Sequence, residues 1–149
     1  MNTPFTDREH VADIEEGAAF APKFDADGLI PAICTHVETG DVLMFAWMNA
    51  EALAATLNDG VATFYSRSRG KLWRKGETSG ETLQVVEART DCDQDVIWLK
   101  VQPLGRGAAC HTGRRSCFYR IVAEDNGSLR LRFADDSERL FDPQKVYGG

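Results

Sequence analysis

The sequence has no run of the roughly 18 apolar residues that a membrane-spanning helix requires. Its opening stretch, "MNTPFTDREHVADIEEG", lacks an apolar core and carries several acids, so no secretory signal is expected there. Positive charge is also scarce: 17 Lys and Arg stand against 23 Asp and Glu, a formal charge of -6. A general nucleic-acid binder should instead show a broad basic footprint. Close CxxC pairs are missing, which argues against a zinc finger, and so is the "HxE…PCxxC" signature of zinc nucleobase deaminases. No internal repeat, linker or low-complexity tract interrupts the chain. The expectation is a cytoplasmic protein with neither membrane nor nucleic acid as partner. At 149 residues it fits one domain of about 100–150 residues, large enough to fold without disulfides.

What is present begins with strand and helix signals. Residues 1–24 read as an acidic, irregular leader, with a short helix possible in sequence terms near Asp13–Ala19. The runs "GLIPAICTHV" and "DVLMFAWM", separated by "ETGD", suggest a hairpin, with Pro31 blurring where the first strand starts. Asn49 is placed to cap "AEALAATLND" and Gly60 to end it, with Leu53 and Leu57 one turn apart on one face. "VATFYSRS" has strand propensity and "RGKLWRKGETSG" reads as a polar connection. Strand propensity returns in "TLQVVEAR", "VIWLKVQPL" and "CFYRIVAE", and "NGSLRLRF" adds a strand after an Asn126-Gly127 turn. Six or seven strands against one clear helix predict a mainly β, α+β-like domain, its curved sheet capped by the helix.

The densest chemical signal is "DCDQD" at 91–95. In extended backbone Asp91, Asp93 and Asp95 would share a face and Cys92 would point away. Three carboxylates on one face repel unless a cation offsets them, and oxygen donors of this kind suit magnesium. A solvated acidic turn is the plainer alternative. Cys92 gains meaning beside "CHTGRRSC", because Cys92, Cys110 and Cys117 together would make a thiolate site suited to zinc. Ordinary thiols remain the competing reading. Cys34, inside an apolar strand, reads as a core residue. His111, next to Cys110, is a candidate ligand or proton shuttle, or simply a hydrogen-bonded histidine; His10 and His36 have no ligand motif beside them.

Between Tyr65 and Gly80 lie Arg67, Arg69, Lys71, Arg74 and Lys75, offset only by Glu77, a local excess of +4 in an acidic protein. Arginine forks and nearby glycines suit phosphate, although charge runs commonly just face solvent. Arg114 and Arg115 bring further positive charge between two cysteines. The residues by themselves point to a metal-dependent hydrolase acting on a phosphorylated, nucleotide-like compound. A zinc-stabilised binding module is the alternative from another class.

The motifs "DGLIPAI", "VLMFAWMN", "FYSRSRGKLWRKGETSG", "DCDQD" and "GAACHTGRRSCFYR" together resemble the phosphoribosyl-AMP cyclohydrolase family, in family order over about residues 25–122. That resemblance implies hydrolysis of the N1–C6 bond of the adenine ring of phosphoribosyl-AMP, a step of histidine biosynthesis. It implies a small barrel-like fold and an intimate homodimer. By motif, Cys92 of one subunit with Cys110 and Cys117 of the other would bind zinc, and Asp91, Asp93 and Asp95 would bind magnesium. His111 becomes the catalytic candidate, with Arg67, Arg69, Lys75 and Arg114 as substrate contacts. The division that follows is a leader at 1–24, a cyclohydrolase core at 25–122, and an extension at 123–149 packed on the same domain. The chain ends too soon for a fused pyrophosphohydrolase domain, so the monofunctional form is expected.

Overall fold

Alternating apolar residues in the first two runs fold back on one another, as the pattern predicts. In the computed structural model, which describes residues 4–148, β1 (Ile30–His36) and β2 (Val42–Met48) form an antiparallel hairpin. Pro31 is the second residue of β1, near the start of a strand, where its missing N–H is tolerated. Next comes α1 (Ala50–Asp59), capped as expected: the Asn49 side chain accepts from the Ala52 N–H at 2.8 Å, and Gly60 closes it in the left-handed region at φ 73°. Leu53 is fully buried, but Leu57 is 37% exposed. Thr56 takes the inward place instead, its hydroxyl donating to Ala52 O and accepting from the Thr63 N–H. That hydroxyl ties the helix to the following strand.

The segment expected as a polar connection holds a strand. β3 (Thr63–Ser66) pairs antiparallel with β4 (Lys71–Arg74), placing Phe64 opposite Trp73 and Tyr65 opposite Leu72. Those apolar pairs were hidden among the flanking charges. β5 (Leu83–Thr90) and β6 (Ile97–Pro103) follow, then the hairpin of β7 (Arg120–Asp125) and β8 (Ser128–Phe133). Asn126 and Gly127 both have positive φ at its turn, the backbone a tight two-residue hairpin loop needs. A last short helix, α2 (Pro143–Tyr147), starts at the Asp142 cap.

The main sheet runs β2-β1-β6-β5, with β1 and β6 parallel at its centre. It is open, which corrects the barrel-like expectation. Loops occupy the positions that a barrel would close strand against strand. Along β2, the Cys117 N–H donates to Leu43 O at 2.7 Å and the Ser116 hydroxyl to Val42 O. Along β5, the Val85 N–H donates to Gly60 O and Ala62 to Leu83 O. The helix cap itself is present, α1 lying against β2, β3 and β5. Ile30, Ala32 and Cys34 of β1 join Ile97, Leu99 and Val101 of β6, Leu83, Phe64 and Leu53 in one core. Truncating Leu53 there to alanine would cost about 2–5 kcal/mol.

Residues 4–24 form no helix at Asp13–Ala19; their only helical turn is a 3-10 turn at Arg8–His10. Asp13 accepts from the N–H groups of Glu16 and Gly17, which makes a turn there rather than a propagating helix. Phe5, Phe20 and Phe24 cluster and pack against the core.

Candidate active site

The acidic segment connects β5 to β6 as a turn, not as extended backbone. Asp91 makes it so: its carboxylate accepts from the Asp95 and Val96 N–H groups at 3.0 and 3.3 Å, while Gln94 sits at φ 58°. The turn gathers the three aspartates that strand alternation was expected to align, so the grouping holds for a different geometric reason. One oxygen from each of Asp91, Asp93 and Asp95 lies within 4.8 Å of the others, all three residues being exposed. Hydrogen bonding to Asp91 and Asp93, with their charge, pushes the Asp95 carboxyl up to about 6. For Asp91, burial acts upward, but hydrogen bonds from Asp93, Asp95 and Val96 outweigh it and leave the group below its ordinary value. A proton taken up at Asp95 relieves their repulsion only below a pH of about 6, and a divalent cation would relieve it at neutral pH. Hard oxygen donors at this spacing fit such an ion.

Gln94 fixes the turn to the N-terminal segment. It is 5% exposed; its side-chain oxygen accepts from the Ala21 N–H at 2.8 Å and its amide donates to Ile14 O and Ala19 O. Arg8 adds bonds to Ala21 O and Asp93 O.

Cys110 and Cys117 meet at the ends of a loop that folds back on itself, with the Gly113 N–H donating to Cys110 O and the Cys110 N–H to Arg114 O. The Cys117 thiol donates to Cys110, and the Thr112 hydroxyl, 3.1 Å away, donates as well. These bonds bring the Cys110 thiol down to about 5, while the Cys117 thiol is pushed up by giving its proton to the pair. Cys110 therefore already favours thiolate, the form that binds zinc, while Cys117 holds the pair's remaining proton. Cys92 is exposed on the acidic turn, and among the described residues no group of three donors includes all three cysteines. Cys34 is buried in β1, where burial pushes its thiol up to about 12, as an inert core residue should behave.

A buried carboxylate holds the approach to Cys110. Glu81, 1% exposed, accepts from the backbone N–H groups of Arg106, Gly107 and Ala108 and from the Arg106 guanidinium at 2.6 Å. The Arg106 guanidinium also donates to Ser79 O. No feature of the sequence beyond a lone acid before β5 pointed to this clamp.

Between the clamp and β2 opens a cleft of about 470 Å³. His111 and Cys117 line it, together with Arg69, Trp73, Lys75 and the Gly76–Ser79 loop. Of the four expected substrate contacts, Arg69 and Lys75 reach this cleft. Lys75 is only 7% exposed, its ammonium 3.5 Å from Glu81 O; burial lowers its pKa against the raising pull of Cys117 and Glu81. Arg67 instead stacks over Trp47, and Arg114 over Tyr119 while bonding Ser137 O. Tyr147 and Met44 also line the cleft, although sequence reasoning did not single them out. His10 and His36 lie outside it: His10 is near Asp7, and His36 accepts from the Glu38 N–H in the β1–β2 turn. No helix among the described residues is long and apolar enough to cross a membrane.

The profile of the phosphoribosyl-AMP cyclohydrolase family matches residues 44–119, from β2 through the cysteine loop. The chain is 59% identical over 138 residues to a phosphoribosyl-AMP cyclohydrolase of Bradyrhizobium diazoefficiens, an alignment covering 93% of this chain and 96% of that relative. Identity to the enzyme of that name from Rhodopseudomonas palustris strain BisB18 is 54% over 147 residues, 99% of both chains. For the one from Sinorhizobium medicae it is 58% over 139 residues, 93% of this chain and 91% of the relative.

Proposed function

Because the chain belongs to the phosphoribosyl-AMP cyclohydrolase family, we propose that it hydrolyses the N1–C6 bond of the adenine ring of phosphoribosyl-AMP in histidine biosynthesis. The product is the ring-opened phosphoribosylformimino aminoimidazole carboxamide ribotide. The observation that carries this reading is one cleft lined by His111, Cys117, Arg69 and the Gly76–Ser79 loop together. Its volume suits a nucleotide-sized ligand, and its walls offer cationic and thiol chemistry to one molecule.

The donor sets fit two metals. Cys110 and Cys117, with Cys92 from a second subunit, would hold zinc; Asp91, Asp93 and Asp95 would hold magnesium. When bound, zinc supplies a water activated near neutral pH, and magnesium offsets phosphate charge. The chain's own residues do the rest. His111, exposed at the cleft, takes a proton from the attacking water and returns it to N1 as the bond to C6 breaks. Arg69 and the hydroxyls of Thr78 and Ser79 bind phosphate, and Trp73 flanks the planar ring. Lys75 adds buried positive charge beside the thiols. Arg67 and Arg114 act at longer range from their aromatic stacks, through the positive field they add around the cleft.

Two features favour a homodimer. Cys92 projects from the acidic turn without joining the other two cysteines in its own chain. The β7–β8 hairpin also leaves Val122, Leu129, Leu131 and Phe133 more than half exposed, an apolar surface that a second copy would cover. We read 1–24 and 123–149 as parts of the same domain as 25–122, and the protein as a cytoplasmic enzyme. The test is ultraviolet monitoring of ring opening after the purified chain, supplied with zinc and magnesium, meets phosphoribosyl-AMP. Metal-dependent conversion is the expected result. A folded, metal-loaded chain that leaves the substrate intact would sink the assignment in favour of a binding module.

A further inference from the structure

The C-terminal segment, beyond the residues the family profile matches, is built onto the cysteine loop. The Leu140 N–H donates to Gly113 O at 2.6 Å, Arg114 Nε donates to Ser137 O at 2.8 Å, and Arg114 and Arg139 form an antiparallel bridge. Gly113 permits this approach: at φ 89°, a Cβ there would stand 2.3 Å from Phe141 O. Phe141, 8% exposed, lies beneath the Arg106 guanidinium at 4.3 Å, so the segment also touches the clamp centred on Glu81. From this anchor the short helix α2 carries Tyr147 to the cleft, its ring 6.1 Å from that of Phe141.

Tyr147 is 43% exposed, and the surface it leaves open lines the same cleft as His111, Trp73 and Lys75. We infer that Tyr147 is a substrate-contacting residue whose ring forms a wall against the planar base, so that the C-terminal segment completes the pocket. Charge separates its task from that of the cleft's basic residues. Arg69 and Lys75 can attract phosphate, whereas a neutral phenol offers a flat apolar face and one hydroxyl. Because the segment is anchored at Leu140 and Phe141, the ring is held at the cleft by the same loop that presents the cysteines.

The inference rests on the cleft being the phosphoribosyl-AMP site, and the test separates the two. KM and kcat are measured for the zinc- and magnesium-loaded chain and for Tyr147→Ala, Tyr147→Phe and Arg69→Ala. Tyr147→Ala should raise KM about tenfold, within the range for removing a base-stacking aromatic. Its kcat, zinc content and melting temperature should stay near normal, and Tyr147→Phe should restore KM. A raised KM in Arg69→Ala with an unchanged KM in Tyr147→Ala would overturn this inference alone. Absence of turnover in the unaltered chain would overturn the functional reading and this inference with it.

Discussion

At Asp91–Asp95 three carboxylates gather within one turn, whereas at Cys110–Cys117 two thiols meet across a loop held by distant parts of the chain. The acidic turn is closed largely by its own backbone, Asp91 accepting from Asp95 and Val96. The cysteine loop depends on Glu81 before it, on β2 beside it, and on Leu140 and Phe141 after it. The three carboxylates gather within one turn of a single chain, whereas the loop brings together two sulfurs, with Cys92 standing on the acidic turn. The difference teaches that clustering in sequence and completeness of a site are separate matters. It also predicts that the two regions fail in different ways.

The largest effect should come from the sulfurs. Cys110→Ser should lower turnover by more than about a hundredfold, since even outer partners of metal ligands are worth 10- to 100-fold. Zinc content should fall with it while the fold survives. Asp93→Asn should instead weaken the response to added magnesium and leave zinc content intact. Metal analysis alongside turnover checks both. Loss of zinc from the aspartate variant would erase the proposed division of labour between the two regions.

Much of the acidic turn could be read from sequence because its donors are neighbours, yet the reading reached the right grouping through the wrong backbone. Alternation along a strand was assumed; Gln94 at positive φ and an Asp91 side-chain turn do the gathering. Helix α1 was equally legible, since Asn49 and Gly60 act within their own few residues. Strand β4 was not, because Leu72 and Trp73 are masked by charges and declare themselves only against Tyr65 and Phe64. The barrel-like expectation came with the family resemblance, not from local pattern. The contacts that line the open sheet's edges, from Ser116, Cys117 and Gly60, are long-range, with nothing local to mark them. Tyr147 and Glu81 share that invisibility. Their importance lies in which distant loop they meet.

Glu81 gives a second, intermediate effect. Burial pushes its carboxyl up, but the Arg106 side-chain and backbone bonds and the Ala108 N–H outweigh burial and hold it below the ordinary range. A carboxyl depressed in the folded state stabilises fully above its unfolded value, and that contribution fades as pH falls through the folded one. Glu81→Ala should therefore cost about 3 kcal/mol near neutrality, in the range for breaking a buried charge pair. The gap to the unaltered chain should shrink below pH of about 4, as protonation of Glu81 takes from the unaltered chain the ionised clamp that the variant already lacks. Urea unfolding at several pH values measures it. A gap that stayed constant down to acid pH would mean that packing, not charge, holds the loop.

The smallest effect should come from Gln94, and it bears on whether the acidic turn is as self-contained as its backbone suggests. Its amide satisfies Ala21, Ile14 and Ala19, so Gln94→Ala would strip partners from a buried N–H and two carbonyls. Leaving such groups unpaired costs about 1–3 kcal/mol, and water entering the vacated space should keep the loss near 1.5 kcal/mol. The backbone would change little in strain, since both residues carry a Cβ at φ 58°. The carboxylates themselves are untouched. Hydrogen exchange should therefore quicken across residues 6–21 while the Asp91 bonds to Asp95 and Val96 persist and magnesium binding weakens only slightly. If magnesium affinity instead collapsed, the N-terminal segment would be a working part of the acidic site. Both metal regions would then depend on distant chain, one on residues 4–24 and the other on the C-terminal segment.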